Sequence, residues 1–313
     1  MLMEETNHLE NIFCGDVLNQ IGRGALVELP RINKTNCKIL AKSEVFNPSG
    51  SVKDVMAFYM VCQAESKGIL KRGTKIIEVT TGNTGIAFSM ISAIRGYEFT
   101  AVMPEHMSIE RRKMMEAFGA EIVLTPAEDD MKGAIRRFRE LASKYPDAWL
   151  PDQFGNPDNI IAHKEITGKS ILEQYKGKID AFVAGVGTGG TLMGVALALK
   201  KVHPNIQIIA VEPAESAVMS GGEPKIHNIQ GIGEGFIPDL VKMDMIDQVI
   251  AIKTEDAMNM MTKIAREEGL MVGISSGANV LASIKLAEKS EKLKTIVTIL
   301  PDRGERYLSL KWS

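Results

Sequence analysis

Three glycine-flanked segments carry side chains that could do chemistry. The first is Asn47-Pro-Ser-Gly-Ser-Val-Lys53-Asp54, where a lysine follows a turn of small residues and precedes an apolar stripe at Met56, Met60 and Val61. A lysine near a helix start is ordinarily a solvated surface charge. Drawn into a cleft it loses hydration, its pKa falls, and the neutral amine becomes a nucleophile and a base. The second segment, Gly185-Val-Gly187-Thr-Gly-Gly190, has the form G-x-G-x-x-G, with Glu212 after a further strand. It fits a dinucleotide fingerprint and equally a general phosphate cradle, in which glycines bring an anion close to unpaired amides at a helix start. Thr188 and Thr191 add hydroxyl donors that suit a phosphate monoester. A tight turn before a packed helix is the plain structural alternative. The third, Gly273-Ile-Ser275-Ser-Gly277, matches G-x-S-x-G, but no histidine follows Ser275 and the last is His227. The order Ser, acid, His of an α/β-hydrolase is therefore impossible. Ser275 is a helix cap or a ligand donor.

Lys53 and the cradle make sense together. Schiff-base chemistry needs a desolvated lysine, and a phosphate site elsewhere in the chain would hold the tail of an aldehyde cofactor. A nicotinamide-dependent enzyme resting on residues 185–190 alone would leave Lys53 idle.

These segments need elements to hold them. The pattern predicts strands over 25–29, 38–42, 75–79, 99–103, 121–124, 181–184, 207–211, 249–252 and 295–300. Helices are predicted over 84–94, 109–118, 132–144, 191–202, 255–268 and 278–288, with another after Lys53. Alternating elements of these lengths imply an α/β protein with parallel sheets covered by helices on both faces. No repeat or low-complexity linker marks a clean cut, so two lobes in close contact are expected. Ligands in such sheets bind beyond the carboxyl ends of the strands, which is where the glycine-rich segments fall. Both halves contribute such turns, and one site in a cleft between the lobes follows.

Composition narrows the class. In 313 residues, 45% are hydrophobic and 24% charged, as in globular proteins with a full core, and the formal net charge of −2 gives no field for a nucleic acid or an anionic membrane. The start, Met1-Leu-Met-Glu-Glu-Thr6, is acidic where a secretory signal is basic and then apolar. No run approaches the ~18 apolar residues of a membrane span. The cysteines Cys14, Cys37 and Cys62 are widely spaced and read as reduced, cytosolic thiols. The five histidines are scattered without a metal-ligand spacing, so no metal site is expected. The eighteen methionines mostly sit at helical spacing as core filler. Arg111, Arg112 and Lys113 read as a solvated helix face. His163 is expected to support the loop after Gln153, and Asp302 and Arg303 to lie behind the site.

Taken together, the chain resembles the cysteine synthase (O-acetylserine sulfhydrylase) and cystathionine β-synthase family, the fold type II pyridoxal-phosphate enzymes related to the tryptophan synthase β subunit. The resemblance runs from about Ile21 to Leu308. Its markers are the segment at Lys53, Thr80-Thr-Gly-Asn-Thr-Gly85, Met107-Ser-Ile-Glu-Arg-Arg112, and Gln153-Phe-Gly-Asn-Pro-Asp-Asn159 with His163. They continue with the cradle, Gly231-Ile-Gly-Glu-Gly-Phe-Ile-Pro238, the segment at Ser275, and Pro301-Asp-Arg-Gly-Glu-Arg-Tyr-Leu308.

The resemblance implies that Lys53 binds pyridoxal 5'-phosphate covalently and acts as the catalytic base. It places the cofactor's phosphate on Gly187, Thr188, Gly189, Gly190 and Thr191, its ring hydroxyl on Asn83, and its pyridine nitrogen on Ser275. A neutral hydroxyl there makes a weaker electron sink than an aspartate would, which suits prompt loss of a β-leaving group. Thr80, Thr81, Gly82, Thr84, Gln153 and Gly231 would bind the amino-acid substrate. The implied reaction is β-replacement through an aminoacrylate: L-cysteine from O-acetyl-L-serine, or a similar activated serine, and sulfide. Cystathionine β-synthase and cysteine desulfhydrase activities share the same scaffold. The implied lobes are a smaller mobile one over 48–160 and a larger one, holding the phosphate, over 1–47 and 161–313. A cytoplasmic homodimer, with serine acetyltransferase as a further partner, is the family habit. The chain departs from the usual pattern at Arg23-Gly-Ala25, Val55, Thr81, His106 and Arg303. These departures spare the cofactor residues and leave the leaving group and the second nucleophile open, along with a catalytically silent binder of the same cofactor.

Overall fold

Successive residues of a strand point to opposite faces, so a strand covered on both sides needs apolar residues at every position. The central strands here come close to that condition, with Thr100 and Thr298 among the few polar residues at buried positions. The computed structural model describes residues 16–309; residues 1–6, His8 and Cys14 fall outside that range. Its strands are β1 (Leu26–Glu28), β2 (Lys38–Ser43), β3 (Lys75–Val79), β4 (Glu98–Pro104), β5 (Glu121–Thr125), β6 (Ala181–Gly185), β7 (Gln207–Pro213), β8 (Gln248–Ile252) and β9 (Thr295–Leu300). They form a six-stranded sheet in the order β1-β2-β9-β6-β7-β8 and a three-stranded sheet in the order β3-β4-β5. Every neighbouring pair is parallel except β1 with β2. The expected α/β class, with parallel sheets between helices, is the class observed.

The helices are α1 (Lys53–Ser66), α2 (Asn83–Arg95), α3 (Ile109–Ala117), α4 (Asp130–Lys144), α5 (Asp158–Ala162), α6 (Lys169–Gln174), α7 (Gly190–Val202), α8 (Thr254–Lys263) and α9 (Ile274–Glu288). In the large sheet, Ala181, Val183, Ile209 and Val211 pack with residues of α8 and α9. Their neighbours Phe182, Ala184, Ile208 and Ala210 pack with Leu192, Val195 and Leu199 of α7 on the other face. The small sheet divides the same way. Ile76, Phe99 and Ala101 meet α1 and α2, while Ile77, Val79 and Val102 meet Ala134 and Leu141 of α4. Among the described residues no helix is long and apolar enough to cross a membrane.

Two departures from the sequence reading bear on the site. Residues 158–174, given no element by pattern, are helical throughout, with a π-helical turn at His163–Gly168 between α5 and α6. The segment at Ser275, read as a turn before a helix at 278, already lies in α9. Its Gly277 is a packing residue: a methyl group there would overlap the Ala257 carbonyl oxygen of α8. The predicted helix 255–268 likewise ends as α8 at Lys263 and continues as a π turn over Ile264–Glu268.

Glycines also set how closely α7 approaches the 158–174 segment. A methyl group on Gly168 would overlap Ala198 Cβ, and one on Gly194 would overlap the Ile160 carbonyl oxygen and lie 2.7 Å from His163 Cβ. That contact holds Asn159 and His163 against the start of α7. Gly194→Ala should therefore lower stability by about 1–3 kcal/mol, the usual cost of overpacking, although alanine favours a helix by nearly 1 kcal/mol over glycine. Urea unfolding midpoints at constant m-value will show it, and a midpoint equal to or above the parent's would refute the constraint.

Candidate active site

The lysine is held by a turn with few loose ends. Asn47 Oδ1 accepts from the Gly22 amide at 2.8 Å, and its Nδ2 donates to the Ser51 carbonyl at 2.9 Å. Gly50 adopts a left-handed φ of 86°, and its carbonyl accepts from Arg306 Nη1 at 2.6 Å. The Val52 amide bonds the Pro301 carbonyl at 2.7 Å, tying the turn to the end of β9. Lys53 thus opens α1 at a fixed place. Burial pushes its amine below the ordinary lysine range, opposed by the negative charges of Glu234 and Asp302. At neutral pH this favours the neutral amine.

Two clefts meet at Lys53. One, of about 520 Å³, is lined by Asn83, Gly187, Thr188, Gly189, Thr191 and Ser275. Its floor is the start of α7, where the first amides have no intrahelical acceptor. A methyl group on Gly187 would overlap the Gly231 carbonyl, one on Gly190 would overlap Asn159 Oδ1, and Gly189 has φ 87°. Side chains would fill this cradle; glycine keeps it open for an anion. Gly190 itself lies just behind the lining. Asn159 Nδ2 braces the cradle by donating to Thr188 Oγ1 at 3.0 Å and to the Gln153 carbonyl at 2.8 Å.

His163 does a different job from the one expected. Its Nε2 faces Thr191 Oγ1 at 3.2 Å and its Nδ1 faces Thr167 Oγ1 at 3.0 Å, so it supports the cradle, and Asn159 supports the loop after Gln153. The π turn aims its ring at α7. Burial, with the nearby positive charge of Lys53, pushes its imidazole down to about 3.

Asn83, first residue of α2, donates from Nδ2 to Asp302 Oδ2 at 2.7 Å, while its Oδ1 is buried without a partner. Ser275 is 3% exposed in the first turn of α9 and lines the same cleft. Gln230 Oε1 is a further orphaned acceptor beside it. A reactive amine, an open amide cradle, an orphaned acceptor and a neutral hydroxyl fit pyridoxal phosphate: aldehyde, phosphate, ring hydroxyl and pyridine nitrogen in turn.

The second cleft, of about 410 Å³, is lined by Thr81, Asn83, Thr84, Gln153, Gly231 and Glu234, with Arg111 and Lys53. Thr84 Oγ1 donates to Gln153 Oε1 at 2.7 Å, and Gln153 Nε2 donates to the Val79 carbonyl at 3.0 Å. Thr80 and Gly82 lie behind this lining. The Thr80 hydroxyl accepts from the Gly82 amide at 2.9 Å and the Gly85 amide at 3.1 Å, shaping the turn that opens α2.

Arg111 overturns the expectation of a solvated helix face: it is 1% exposed. Its stem occupies the space where a Gly82 side chain would stand. Its Nη1 donates to the Thr81 carbonyl at 3.1 Å and its Nη2 to Tyr307 Oη at 3.0 Å, and the Tyr307 hydroxyl donates to Asp302 Oδ2 at 2.8 Å. Arg112 is half-buried and Lys113 exposed, so only part of that face meets water. Sequence reasoning also passed over Glu234, Asn159 and Tyr307. The periodicity of α3 marks one buried side, but nothing local says that an arginine takes it.

A cleft between two α/β units, centred on a desolvated lysine and an amide cradle, defines an enzyme that works through an aldehyde cofactor. The family model described as pyridoxal-phosphate dependent enzyme matches residues 17–302, and the chain belongs to this family. It is 48% identical over 291 residues to cysteine synthase of Staphylococcus aureus, covering 92% of this chain and 94% of that one. The crystal structure of cysteine synthase from Entamoeba histolytica superposes with a TM-score of 0.90 at 47% identity, covering 95% of this chain and 90% of that chain. A hydrogen sulfide-producing enzyme from Fusobacterium nucleatum gives a TM-score of 0.91 at 38% identity, covering 95% and 100%.

The depressed His163 carries a stability signature. Between its ordinary value of 6.5 and about 3, the unfolded chain binds a proton that the folded chain refuses. Its contribution is absent above that window, and stability falls by about 1.4 kcal/mol per pH unit on acidification through it. In His163→Gln this component of the slope should vanish, read as the wild-type-minus-variant difference in urea unfolding free energy at pH values across the window. Parallel curves would contradict the burial.

Proposed function

We propose that this enzyme forms L-cysteine from O-acetyl-L-serine, or a similarly activated serine, and sulfide by β-replacement. The observation that carries the reading is the Lys53 amine at the junction of the two clefts, with an anion cradle on one side and hydroxyl and amide donors on the other. Lys53 would hold the aldehyde carbon of pyridoxal phosphate, with the phosphate on the start of α7, Asn83 Oδ1 at the ring hydroxyl and Ser275 at the pyridine nitrogen. The bound cofactor supplies an electron sink conjugated to the substrate's Cα.

The remaining work belongs to the chain. The backbone amides at the start of α2, with Thr81, Thr84 and Gln153, receive the substrate carboxylate, and Gly231 keeps the opposite wall low. Lys53 Nζ would take the Cα proton of the bound substrate and later return it; its depressed pKa keeps the neutral base available. Residues 48–160 act as the smaller, mobile lobe against 1–47 and 161–313. The bonds from Arg111 to Tyr307 and from Asn83 to Asp302 cross that division and support closure over the substrate, which excludes water.

The reading extends to a cytoplasmic homodimer that also docks serine acetyltransferase. Exposed Phe236 and Ile237, with the Phe236 ring 5.5 Å from Phe154 at the cleft, offer apolar surface for such a partner. Release of hydrogen sulfide from cysteine is the second reading, favoured by the likeness to the Fusobacterium enzyme.

The wild-type protein should purify yellow or turn yellow with added pyridoxal phosphate, and should make cysteine from O-acetylserine and sulfide faster than from serine. Lys53→Ala should lose the visible band, and with it the covalent adduct that borohydride reduction leaves on this lysine in wild type, with kcat down by at least ~10²-fold. A wild-type protein that stays colourless, or borohydride labelling of another lysine, would end the proposal.

A further inference from the structure

A carboxyl group lies buried in the small sheet, outside both clefts and with no part in the reaction just described. Glu78 is 1% exposed in β3, on the same side of the strand as Ile76, which packs with α1 and α2. A methionine would fill that place without the cost of taking a carboxyl out of water, so the oxygens must answer donors. Those donors belong to the segment that ends in Gln153. Resting on the assignment of Gln153 to the substrate carboxylate, we propose that Glu78 is a positioning residue for that carboxylate. It holds the turn over residues 151–153 and thereby aims the Gln153 amide into the substrate cleft.

The segment begins as a short extra rung beside β3. The Trp149 amide donates to the Lys75 carbonyl at 2.9 Å, and the Ile77 amide to the Trp149 carbonyl at 3.1 Å. The next rung would need an amide at position 151, and Pro151 has none. Its carbonyl accepts from Asn156 Nδ2 at 3.0 Å instead. Asp152 then turns the chain at φ 54°, the one positive φ outside glycine among the described residues. With the ladder broken, the amides of Val79, Asp152 and Gln153 need another acceptor. Glu78 supplies it. Its Oε1 accepts from the Val79 amide at 3.0 Å. The Asp152 and Gln153 amides lie beside the same carboxyl, where Oε2 has no closer partner, and they hold its proton affinity down. Burial, with the charge of Asp152, pushes it the other way, to about 8. Ionised or protonated, the group keeps acceptor oxygens for these amides.

The effect reaches the cleft through Val79. Glu78 grips the Val79 amide, and the Val79 carbonyl in turn accepts one proton of Gln153 Nε2. Thr84 Oγ1 fixes the other end of that side chain by donating to its Oε1. The second N–H of the Gln153 amide is left for a substrate oxygen. Asn159 Nδ2 holds the Gln153 carbonyl from the far side of the turn. Without the carboxyl, the turn is free to shift along β3, and Gln153 leaves its register with Thr84 in the cleft lining.

The test uses holoenzyme with O-acetylserine and sulfide. Glu78→Met keeps the length of the side chain and removes its acceptors. KM for O-acetylserine should rise about tenfold, the loss expected when buried donors are left without an acceptor, while kcat and KM for sulfide hold. Glu78→Gln keeps one acceptor oxygen and should recover most of the loss. Gln153→Ala should raise the same KM, and adding Glu78→Met to it should change little further, because the carboxyl acts through that side chain. A general loosening of the sheet would instead multiply the two effects. Independently of turnover and of any variant's folding, hydrogen exchange in wild type should show the Asp152 and Gln153 amides protected, although they lie beyond the strand ladder. Freely exchanging amides, an unchanged KM in Glu78→Met, a fall in kcat alone, or multiplied effects would overturn the proposal while leaving cysteine formation intact. A wild type that makes no cysteine, or a Gln153→Ala variant with unchanged KM, would bring down the reading beneath it.

Discussion

The site depends on removing one ammonium group from water. An exposed lysine is protonated at neutral pH and can be neither nucleophile nor base; desolvation disfavours the charge and frees the amine. Lys53 is partly covered because the turn over 47–54 is pinned from outside its own sequence. Gly22, Pro301 and Arg306 all bond it, from segments on either side in the chain. The carboxylates of Glu234 and Asp302 pull the other way, so the amine's proton affinity is set by the balance of burial and two distant residues. A lysine so placed is sensitive to whatever moves either wall of the cleft.

The two sheets make those walls. With both faces covered by helices, neither sheet has a free face to offer a ligand, and the loops at the carboxyl ends of parallel strands are what remain. The cradle follows β6, the Thr80 turn follows β3, and residues 301–307 follow β9. Arg111 reaches from α3 to Tyr307, and Asn83 from α2 to Asp302, so the small-sheet unit touches the segment after β9 through one buried and one partly buried polar bond. Breaking a buried hydrogen bond to a charged group is costly because the group left behind is stranded. These bonds hold the two units in the observed arrangement, with Asn83 Oδ1 buried and without a hydrogen-bond partner.

Much of this was legible in the chain order of residues. Apolar periodicity located the strands, and β3 and β9 match their predicted ranges, because each is a short, mostly apolar or β-branched run with clear ends. The glycine-rich turns were legible as helix starts with unpaired amides, because those amides are a local consequence of where a helix begins. Arg111 was not. Its type and neighbours, Arg112 and Lys113, describe a wet surface, and what buries it is an absent side chain at Gly82, far away in sequence. His163 was assigned to the wrong neighbour because a π turn, with no pattern signature, rotates its ring toward α7. Gly277 looked like a turn residue for a related reason: glycine serves loops and close helix contacts alike, and only the position of α8 separates the two.

The distribution of charge completes the logic of the site. The proposed function asks the clefts to receive two anions, a phosphate and a carboxylate, and the cradle and the start of α2 offer helix amides and hydroxyls for them. Dipoles of this kind attract an anion without adding a titratable proton. The buried His163 conforms to this rule, since at about 3 it stays neutral beside the cradle through the physiological range. Arg111 conforms as well, its guanidinium turned to a carbonyl and a phenol. The charged residues among the lining of the two clefts are Lys53, Arg111 and Glu234. A cleft that bound its anions with lysines and histidines would offer competing proton donors next to a base that must stay neutral. Separating anion recognition from proton transfer leaves the desolvated Lys53 amine free to act as the base that the proposed chemistry needs.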